Sequence, residues 1–239
     1  MKTYMHNGYK ITEFPPDKLR LIWWDKPKNT MPVNAFSGGF FDGRYTAPDI
    51  KGKYTLPGGN LRVDMGDIGD RQKADVISWK GTVKDGKITL NVNQHVSPQF
   101  KNKKVSTLLI LDNGNPIIVD TDTVIPTTRY AISGLPVIRG SRDVSYTNDV
   151  LPQGWDNTTA YATYRNWIGI TANNDMVVVS GKTTTGNYIA TSEVFSKLYG
   201  AGIVDLIALD GGGSFRNAIG GVSSTAENRR INNIGVIAD

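Results

Sequence analysis

The chain has 239 residues and no cysteine, which excludes disulfides, thiolate metal sites and cysteine nucleophiles. Its formal charge of +5 at pH 7 favours anionic ligands, but no dense stripe of lysine and arginine occurs, so we expect no nucleic-acid partner. No apolar run is long enough to span a membrane, and the N-terminus lacks the apolar segment of a secretion signal. We therefore expect a cytoplasmic protein without a membrane partner.

Three pairs of extended runs, each joined by a short polar turn, dominate the chain. The first pair lies within residues 83–90 and is separated by Asp85-Gly86, which is a strong hairpin signal. The second pair is Leu108–Leu111 with Ile117–Val119, and the third is Trp167–Ile170 with Met176–Val179. Repeated hairpins of this kind predict antiparallel or mixed sheet.

One helix is predicted near the C-terminal end. Thr191 is suited to cap it, Glu193 falls in its first turn and Gly200 ends it. A strand, Leu206–Asp210, follows this helix and is bounded by glycine. We expect an α+β fold with a mixed, largely antiparallel sheet and few helices, arranged as a single domain over residues 1–239.

The segment Asp210-Gly211-Gly212-Gly213-Ser214 follows the predicted strand directly. Three glycines leave no side-chain wall, so a ligand or another backbone segment can approach the strand end closely. A carboxylate beside exposed N–H groups suits a polar, anionic or sugar-like ligand. A mobile glycine loop after an edge strand explains the same residues without a ligand.

Other motifs do not meet the requirements of a site. Gly181-Lys182-Thr183 resembles the end of a phosphate-binding loop, but the first glycine of that motif is replaced by Met176. His6 and His95 are isolated and have no ligand partners at metal-binding spacing. We expect no metal and no cofactor, although a site built from carboxylates alone is left open.

Elements spread along the chain resemble, in order, the phosphodiester glycosidase domain family. The resemblance is good from residue 129 to 239 and patchy over 1–128. Asn166 replaces the usual threonine, and Phe215 follows Ser214 where a small polar residue is common. The matching elements are Val33–Ala35, Gly38–Asp42, Ala131–Gly140, Tyr164–Ile170, Thr191–Gly200, Leu209–Ser214 and Arg229–Val236.

This resemblance implies a hydrolase that cleaves a sugar-1-phosphate diester and releases the sugar from a phosphomonoester. Asp210 would be the first candidate for the catalytic carboxylate and Glu193 the second, and Arg165 would bind the diester. The remaining candidates would contact the sugar or the phosphate. They are Asn34, Gly39, Phe40, Phe41, Asp42, Gly134, Gly211, Gly212, Gly213, Ser214, Arg229, Arg230 and Asn233.

Each role has a structural alternative. Asp210 could cap the glycine turn, Glu193 could favour the helix dipole, and the arginines could form salt bridges at strand edges. Either Arg229 or Arg230 is the matching arginine.

Two other functions remain open. A non-catalytic binder, encoded by a phage, would sequester a phosphorylated sugar or a nucleotide signalling molecule. A structural protein of virions or cell surfaces is the third possibility. The partner is therefore expected to be a small sugar-phosphate or nucleotide-like ligand, and homo-oligomerisation is left open.

Overall fold

A computed structural model describes residues 1–39, 41–42, 56–57, 61–64, 82–84, 87–90, 106–119, 127–144, 163–184 and 189–239. These residues contain nineteen β-strands and one α-helix, α1 (Ile189–Leu198). The strands are β1 (Lys2–His6), β2 (Tyr9–Phe14), β3 (Leu19–Pro27), β4 (Ala35–Ser37), β5 (Phe41–Asp42), β6 (Leu56–Pro57), β7 (Leu61–Asp64), β8 (Thr82–Lys84), β9 (Lys87–Leu90), β10 (Ser106–Leu111), β11 (Pro116–Val119), β12 (Thr128–Arg139), β13 (Arg142–Asp143), β14 (Tyr164–Thr171), β15 (Met176–Lys182), β16 (Ile203–Gly211), β17 (Arg216–Asn217), β18 (Ser223–Ser224) and β19 (Arg230–Ile237).

One layer of sheet runs in the order β1-β2-β15-β14-β16-β12, and every pair in it is antiparallel. Helix α1 connects β15 to β16 and packs on one face of this layer. Its Val194 and Leu198 join Ile11, Trp167 and Val179 in a buried cluster. The strands β14, β15 and β16 read as nearly continuous apolar runs because both of their faces are covered.

The long strand β12 also belongs to a second layer. Its first half pairs with β10 and β7, while its second half pairs with β16. The second layer continues from β7 to β3 and on through β19, β4, β17 and β18. The main core lies between the layers, where Leu21, Phe36 and Ile132 meet Ile207 and Leu209. The curled sheet forms a half-barrel.

The expected α+β class is wrong, because the protein is predominantly β. Helix α1 is only ten residues long, and it is the sole α-helix in the described ranges. Short apolar runs rich in Val, Ile and Leu form strands here and bury against a second sheet rather than against a helical layer. The sheet is mixed as expected, since β3 and β7 pair in parallel at Ile22 and Asp64.

The three predicted hairpins are confirmed as the pairs β8–β9, β10–β11 and β14–β15. The predicted helix exists, but its start is wrong. The helix begins at Ile189, so Thr191 lies inside it, and Glu193 falls after the first turn rather than within it. The helical segment includes Ala190, the residue type with the highest helix propensity. Within the described residues, no helix has both the length and the apolar character needed to cross a membrane.

Candidate functional site

Asp210 lies at the carboxyl end of β16, where the strand departs from regular pairing with β14. Arg165 is paired with Gly211, and Trp167 is paired with Ala208. Leu209 and Asp210 therefore share the single position opposite residue 166, which is the two-against-one pattern of a β-bulge. Bulges re-aim side chains and are frequent beside active sites. The Asp210 side chain emerges where the glycine turn begins.

The surroundings of the Asp210 carboxyl group have opposing effects on its pKa. Burial raises its pKa, and this effect outweighs the lowering by the Ser214 hydroxyl, the Arg165 guanidinium, the Gly211 amide and Arg229. The Gly211 N–H donates to Oδ1 of Asp210 at 2.8 Å. The Ser214 Oγ is buried and close to Asp210, but in the described part of the chain it makes no hydrogen bond of good geometry. Asp210 therefore holds a proton more strongly than an ordinary aspartate.

Arg165 lies on the neighbouring strand, directly across from Gly211. Its Nη1 donates to the carbonyl oxygen of Leu209 at 3.0 Å. A Cβ on Gly211 would lie 2.7 Å from the carbonyl oxygen of Tyr164 and 3.2 Å from Cγ and Cζ of Arg165, so glycine lets β14 and the Arg165 side chain approach β16 closely. Burial lowers the pKa of Arg165, and the charge of Asp210 opposes this effect. The two groups form a coupled pair at the strand end.

The glycine turn folds into a short 3-10 segment, Gly212–Ser214, after β16. Gly212 has a φ of 57°, which favours glycine at this position. A Cβ on Gly213 would overlap the carboxylate of Glu227 and lie 2.7 Å from Nη2 of Arg229. Arg229 and Glu227 form an ion pair of 2.7 Å that lies against the turn. Of the two adjacent arginines Arg229 and Arg230, Arg229 is the one whose charge lowers the pKa of Asp210, as Arg165 also does.

A second backbone segment, Gly38-Gly39, closes the site from the other side. The Asp210 N–H donates to the carbonyl of Gly38 at 3.1 Å. Asn233 holds this segment, because its Oδ1 accepts from Gly39 N–H at 2.9 Å and its carbonyl accepts from Gly38 N–H at 3.0 Å. A Cβ on Gly134 would overlap the carbonyl of Ala208, which brings β12 close to β16 just before Asp210.

These contacts bring part of the predicted set together. Asp210, Arg165 and Arg229 converge at the strand end. The other predicted residues beside them are Gly39, Gly134, Gly211, Gly212, Gly213, Ser214 and Asn233, and Gly38, which was not predicted, joins them. Phe40 lies outside the described residues. Phe41 and Asp42 form strand β5, but their side chains also lie outside the described part.

Two other predicted residues lie elsewhere, and a third, Glu193, lies at the same end of the sheet as Asp210. Asn34 precedes β4 at the end opposite Gly38, about 13 Å along the strand, and its Nδ2 donates to Asp239 at 3.4 Å. Glu193 accepts the Thr184 N–H with both carboxylate oxygens at 3.0 Å. It therefore ties α1 to the end of β15 that pairs with Tyr164 and Arg165, which is the end of the sheet where Gly211 also lies. Arg230 is exposed and begins β19 opposite Pro27.

Two buried polar residues that were not among the predicted site residues, Asn166 and Lys28, lie next to the site. Asn166 is fully buried, and its Nδ2 donates to the Ser37 hydroxyl and to the Arg216 carbonyl, both at 3.0 Å. Lys28 is also buried, and its ammonium group reaches the glycine turn. Lys28 belongs to no recognisable motif, and Asn166 is marked in the sequence only as a departure from the usual threonine of its element. Each acts through partners far away in the sequence, so local patterns gave neither a role.

The described residues show no group of three or more His, Asp or Glu side chains that could hold a metal ion. A surface cavity of about 340 Å³ lies at the opposite end of β16, between the end of α1 and Ile203. Seven residues of strand, about 23 Å, separate Ile203 from Asp210. This cavity is therefore distinct from the Asp210 site.

No protein-family profile matches the chain, and no curated protein matches it. A solved structure of the zebrafish N-acetylglucosamine-1-phosphodiester alpha-N-acetylglucosaminidase catalytic domain, auto-inhibited by its pro-peptide, superposes with a TM-score of 0.59 and 15% identity. The match covers 97% of this chain and 76% of that one. A hypothetical protein from Synechocystis has a TM-score of 0.52 at 12% identity, and the match covers 98% of this chain but only 60% of that one. The fold is thus distantly similar to that of a phosphodiester glycosidase catalytic domain.

Proposed function

We propose that the protein is a phosphodiester glycosidase that hydrolyses the bond between a sugar and the phosphate of a sugar-1-phosphodiester. The observation that carries the proposal is the convergence of Asp210, Arg165 and Arg229 around a glycine turn at one strand end. Two guanidinium groups match the anionic phosphate of such a substrate. The distant likeness of the fold to a catalytic domain of this activity supports the same reaction.

Asp210 is suited to act as a general acid. Burial raises its pKa, so a larger share of the carboxyl groups is protonated near neutral pH than for an exposed aspartate. One carboxylate oxygen is held by the Gly211 N–H, which leaves the other to carry the proton. Because the Gly211 amide is used in this way, the amides of Gly213 and Ser214 are the donors proposed for the phosphate.

The proposed reaction breaks the bond between the anomeric carbon and the bridging oxygen. Asp210 gives its proton to that oxygen as the phosphomonoester leaves, and a water oxygen bonds to the anomeric carbon. The water loses a proton, which restores the acid form of Asp210. The guanidinium of Arg165 lies beside Leu209 and Asp210 and supplies a positive charge that opposes the negative charge of the phosphate. The products are the free sugar and a phosphomonoester.

The reaction is tested with a panel of sugar-1-phosphodiesters, beginning with an N-acetylglucosamine-1-phosphodiester, in water enriched in oxygen-18. The protein is then denatured, and the products are identified by mass spectrometry and phosphorus NMR. The proposal expects a phosphomonoester without the label and a sugar carrying it. Label in the phosphate would instead mean cleavage of the phosphorus–oxygen bond. Recovery of intact, tightly bound ligand would identify a binder and refute hydrolysis.

A further inference from the structure

The ammonium group of Lys28 forms three hydrogen bonds beside the candidate site. Its residue is only 1% exposed, which is rare for lysine unless the charge is fully partnered. Nζ donates to the carbonyl of Gly213 at 2.8 Å, to the carbonyl of Phe215 at 3.2 Å and to Oγ1 of Thr225 at 2.7 Å. An ammonium has three donors, so every donor of Lys28 is used on or beside the glycine turn.

The contacts of Lys28 determine which way the peptide groups of the turn face. The Thr225 hydroxyl, which accepts from Lys28, donates its own hydrogen bond to the carbonyl of Gly212 at 2.9 Å. The carbonyls of Gly212 and Gly213 are therefore drawn towards Lys28 and Thr225. In a planar trans peptide, the C=O and the following N–H point in opposite directions. The amides of Gly213 and Ser214 consequently face away from Lys28.

The backbone of Lys28 fixes a second part of the site. Its N–H donates to the carbonyl of Arg229 at 3.0 Å, and the next amide, that of Asn29, donates to Oδ1 of Asn228 at 3.2 Å. The Arg229 side chain, paired with Glu227, lies against Gly213. One residue therefore connects the main chain of Arg229 with the turn that Arg229 covers.

We propose that Lys28 is a positioning residue, which aligns the Gly213 and Ser214 amides and Arg229 as a single anion-binding unit. The inference rests on the proposed function, because it assigns that unit to the phosphate of the substrate. Lys28 itself does not touch substrate, since all of its donors are used within the protein.

The test compares Lys28→Met with Lys26→Met. Methionine keeps most of the length of lysine but removes the ammonium donor to the carbonyl of Gly213 and one of the two side-chain donors to the carbonyl of Phe215, which keeps the Ser224 hydroxyl. Lys26 is a matched control two residues earlier on β3, where its ammonium lies over the Trp24 ring at 5.1 Å and makes no described contact with the turn.

The first measurement is amide hydrogen exchange, which needs no substrate. The Phe215 N–H donates to the Gly212 carbonyl and the Arg216 N–H to the Ser37 hydroxyl, so both amides report on the turn. Lys28→Met is expected to speed exchange at these two amides by about tenfold or more while leaving the strand amide of Ile168 unchanged. Unchanged exchange at Phe215 and Arg216 would overturn the inference. Faster exchange over the whole sheet would also overturn it, because that result indicates general destabilisation.

The second measurement separates kcat from KM for a phosphodiester that the wild type cleaves. Misaligned amides weaken the stabilisation of charge that develops in the transition state, so kcat is expected to fall about a hundredfold. KM is expected to change much less. A rise in KM with kcat unchanged, or no change in either constant, would contradict the positioning role. If the wild type cleaves no diester, the proposed function fails and the exchange experiment alone decides the role of Lys28.

A chemical rescue tests whether the ammonium group itself is required at position 28. Because the chain has no cysteine, Lys28→Cys creates a unique thiol. Alkylation of the unfolded chain with 2-bromoethylamine places an ammonium at nearly the length of lysine, whereas iodoacetamide adds a neutral group. After refolding beside a wild-type sample treated identically, the aminoethylated protein is expected to recover slow exchange and kcat, and the amidated protein is not. Equal behaviour of the two adducts would overturn the inference.

Discussion

At the scale of single residues, Asp210 combines a half-buried carboxyl group with two arginines and a serine hydroxyl. The desolvation that accompanies burial outweighs these favourable contacts, which keeps the pKa of Asp210 above its ordinary value. The same contacts are compatible with a capping role, because the Gly211 N–H bonds to this carboxylate. Substitution and pH dependence distinguish the two roles.

Asp210→Asn preserves the shape of the side chain and its acceptor for Gly211 but removes the proton donor. We expect kcat/KM for a cleavable diester to fall about 10²- to 10⁴-fold, which is the usual contribution of general acid catalysis. Circular dichroism should show the same fold. Asp112→Asn, in the exposed turn between β10 and β11, is the matched control and should retain full activity. Undiminished turnover by Asp210→Asn would leave Asp210 with a capping role only.

The raised pKa of Asp210 also predicts how stability depends on pH. A carboxyl group whose pKa is higher in the folded state binds its proton more tightly there than in the unfolded chain. Its contribution to stability is fully present below the ordinary pKa of 3.8 and is lost as the pH rises through the folded value. The free energy of unfolding of wild type minus that of Asp210→Asn should therefore decrease from pH 4 upwards, as measured by urea titration. An increase over this range would contradict the raised pKa.

The adjacent residues Arg229 and Arg230 allow a direct test of which arginine binds the phosphate. Arg229 influences Asp210 and lies against Gly213, whereas Arg230 begins β19 opposite Pro27. We expect Arg229→Ala to weaken binding of a phosphodiester about tenfold or more, because charge-assisted hydrogen bonds contribute roughly 1.5–3 kcal/mol. Arg230→Ala should change the dissociation constant much less. Isothermal titration calorimetry measures both, and equal losses would contradict the assignment.

At the scale of elements, the site is built from close backbone approaches at the end of β16. Gly134 allows β12 to approach Ala208, and Gly213 allows the Glu227–Arg229 pair to lie on the turn. The two glycines differ in what a Cβ would displace. At Gly134 it would meet backbone, and at Gly213 it would meet two side chains that are about half exposed, at 54% and 45%.

This difference predicts opposite consequences for the two alanine variants. Gly134→Ala should lower the free energy of unfolding by about 1–3 kcal/mol, because a rigid strand must move. Gly213→Ala should cost much less stability but should reduce ligand affinity, because the Glu227–Arg229 pair is displaced. Thermal denaturation and calorimetry separate the two effects. A Gly213→Ala protein with normal affinity would argue against a role for this pair.

At the scale of the whole molecule, β12 belongs to both layers of sheet. Its Ile132 is fully buried in the core between the layers. Ile132→Ala should therefore destabilise the protein by about 2–5 kcal/mol. If the chain is one domain, urea unfolding followed by tryptophan fluorescence and by circular dichroism should show a single coincident transition in both proteins. Two separated transitions would contradict the single-domain expectation.

The sequence predicted the local elements well because local signals specify them. Asp85-Gly86 and the turn at 112–116 act over a few residues, and the hairpins on either side form as expected. The α+β prediction was wrong because the predicted helix is one short element, whereas the main core lies between two layers of sheet. Nothing local indicated that β12 is shared or that a second sheet covers the first.

For the candidate site as well, local sequence predicted one part and the tertiary structure decided the other. The run Leu209–Ser214 places Asp210 at a strand end, because an apolar segment followed by three glycines must stop there. The resemblance also named Arg165, Asn233 and one of Arg229 and Arg230 as candidates. Only the tertiary structure decided that Arg229 rather than Arg230 acts on Asp210, that Asn233 holds Gly38 and Gly39, and that the buried ammonium of Lys28 bonds to the glycine turn. Long-range strand pairing brings these groups together. These groups are far apart in the sequence, and their spacing carries no periodic signal. Only the pairing of the strands in the folded sheet therefore determines how they are arranged around the strand end.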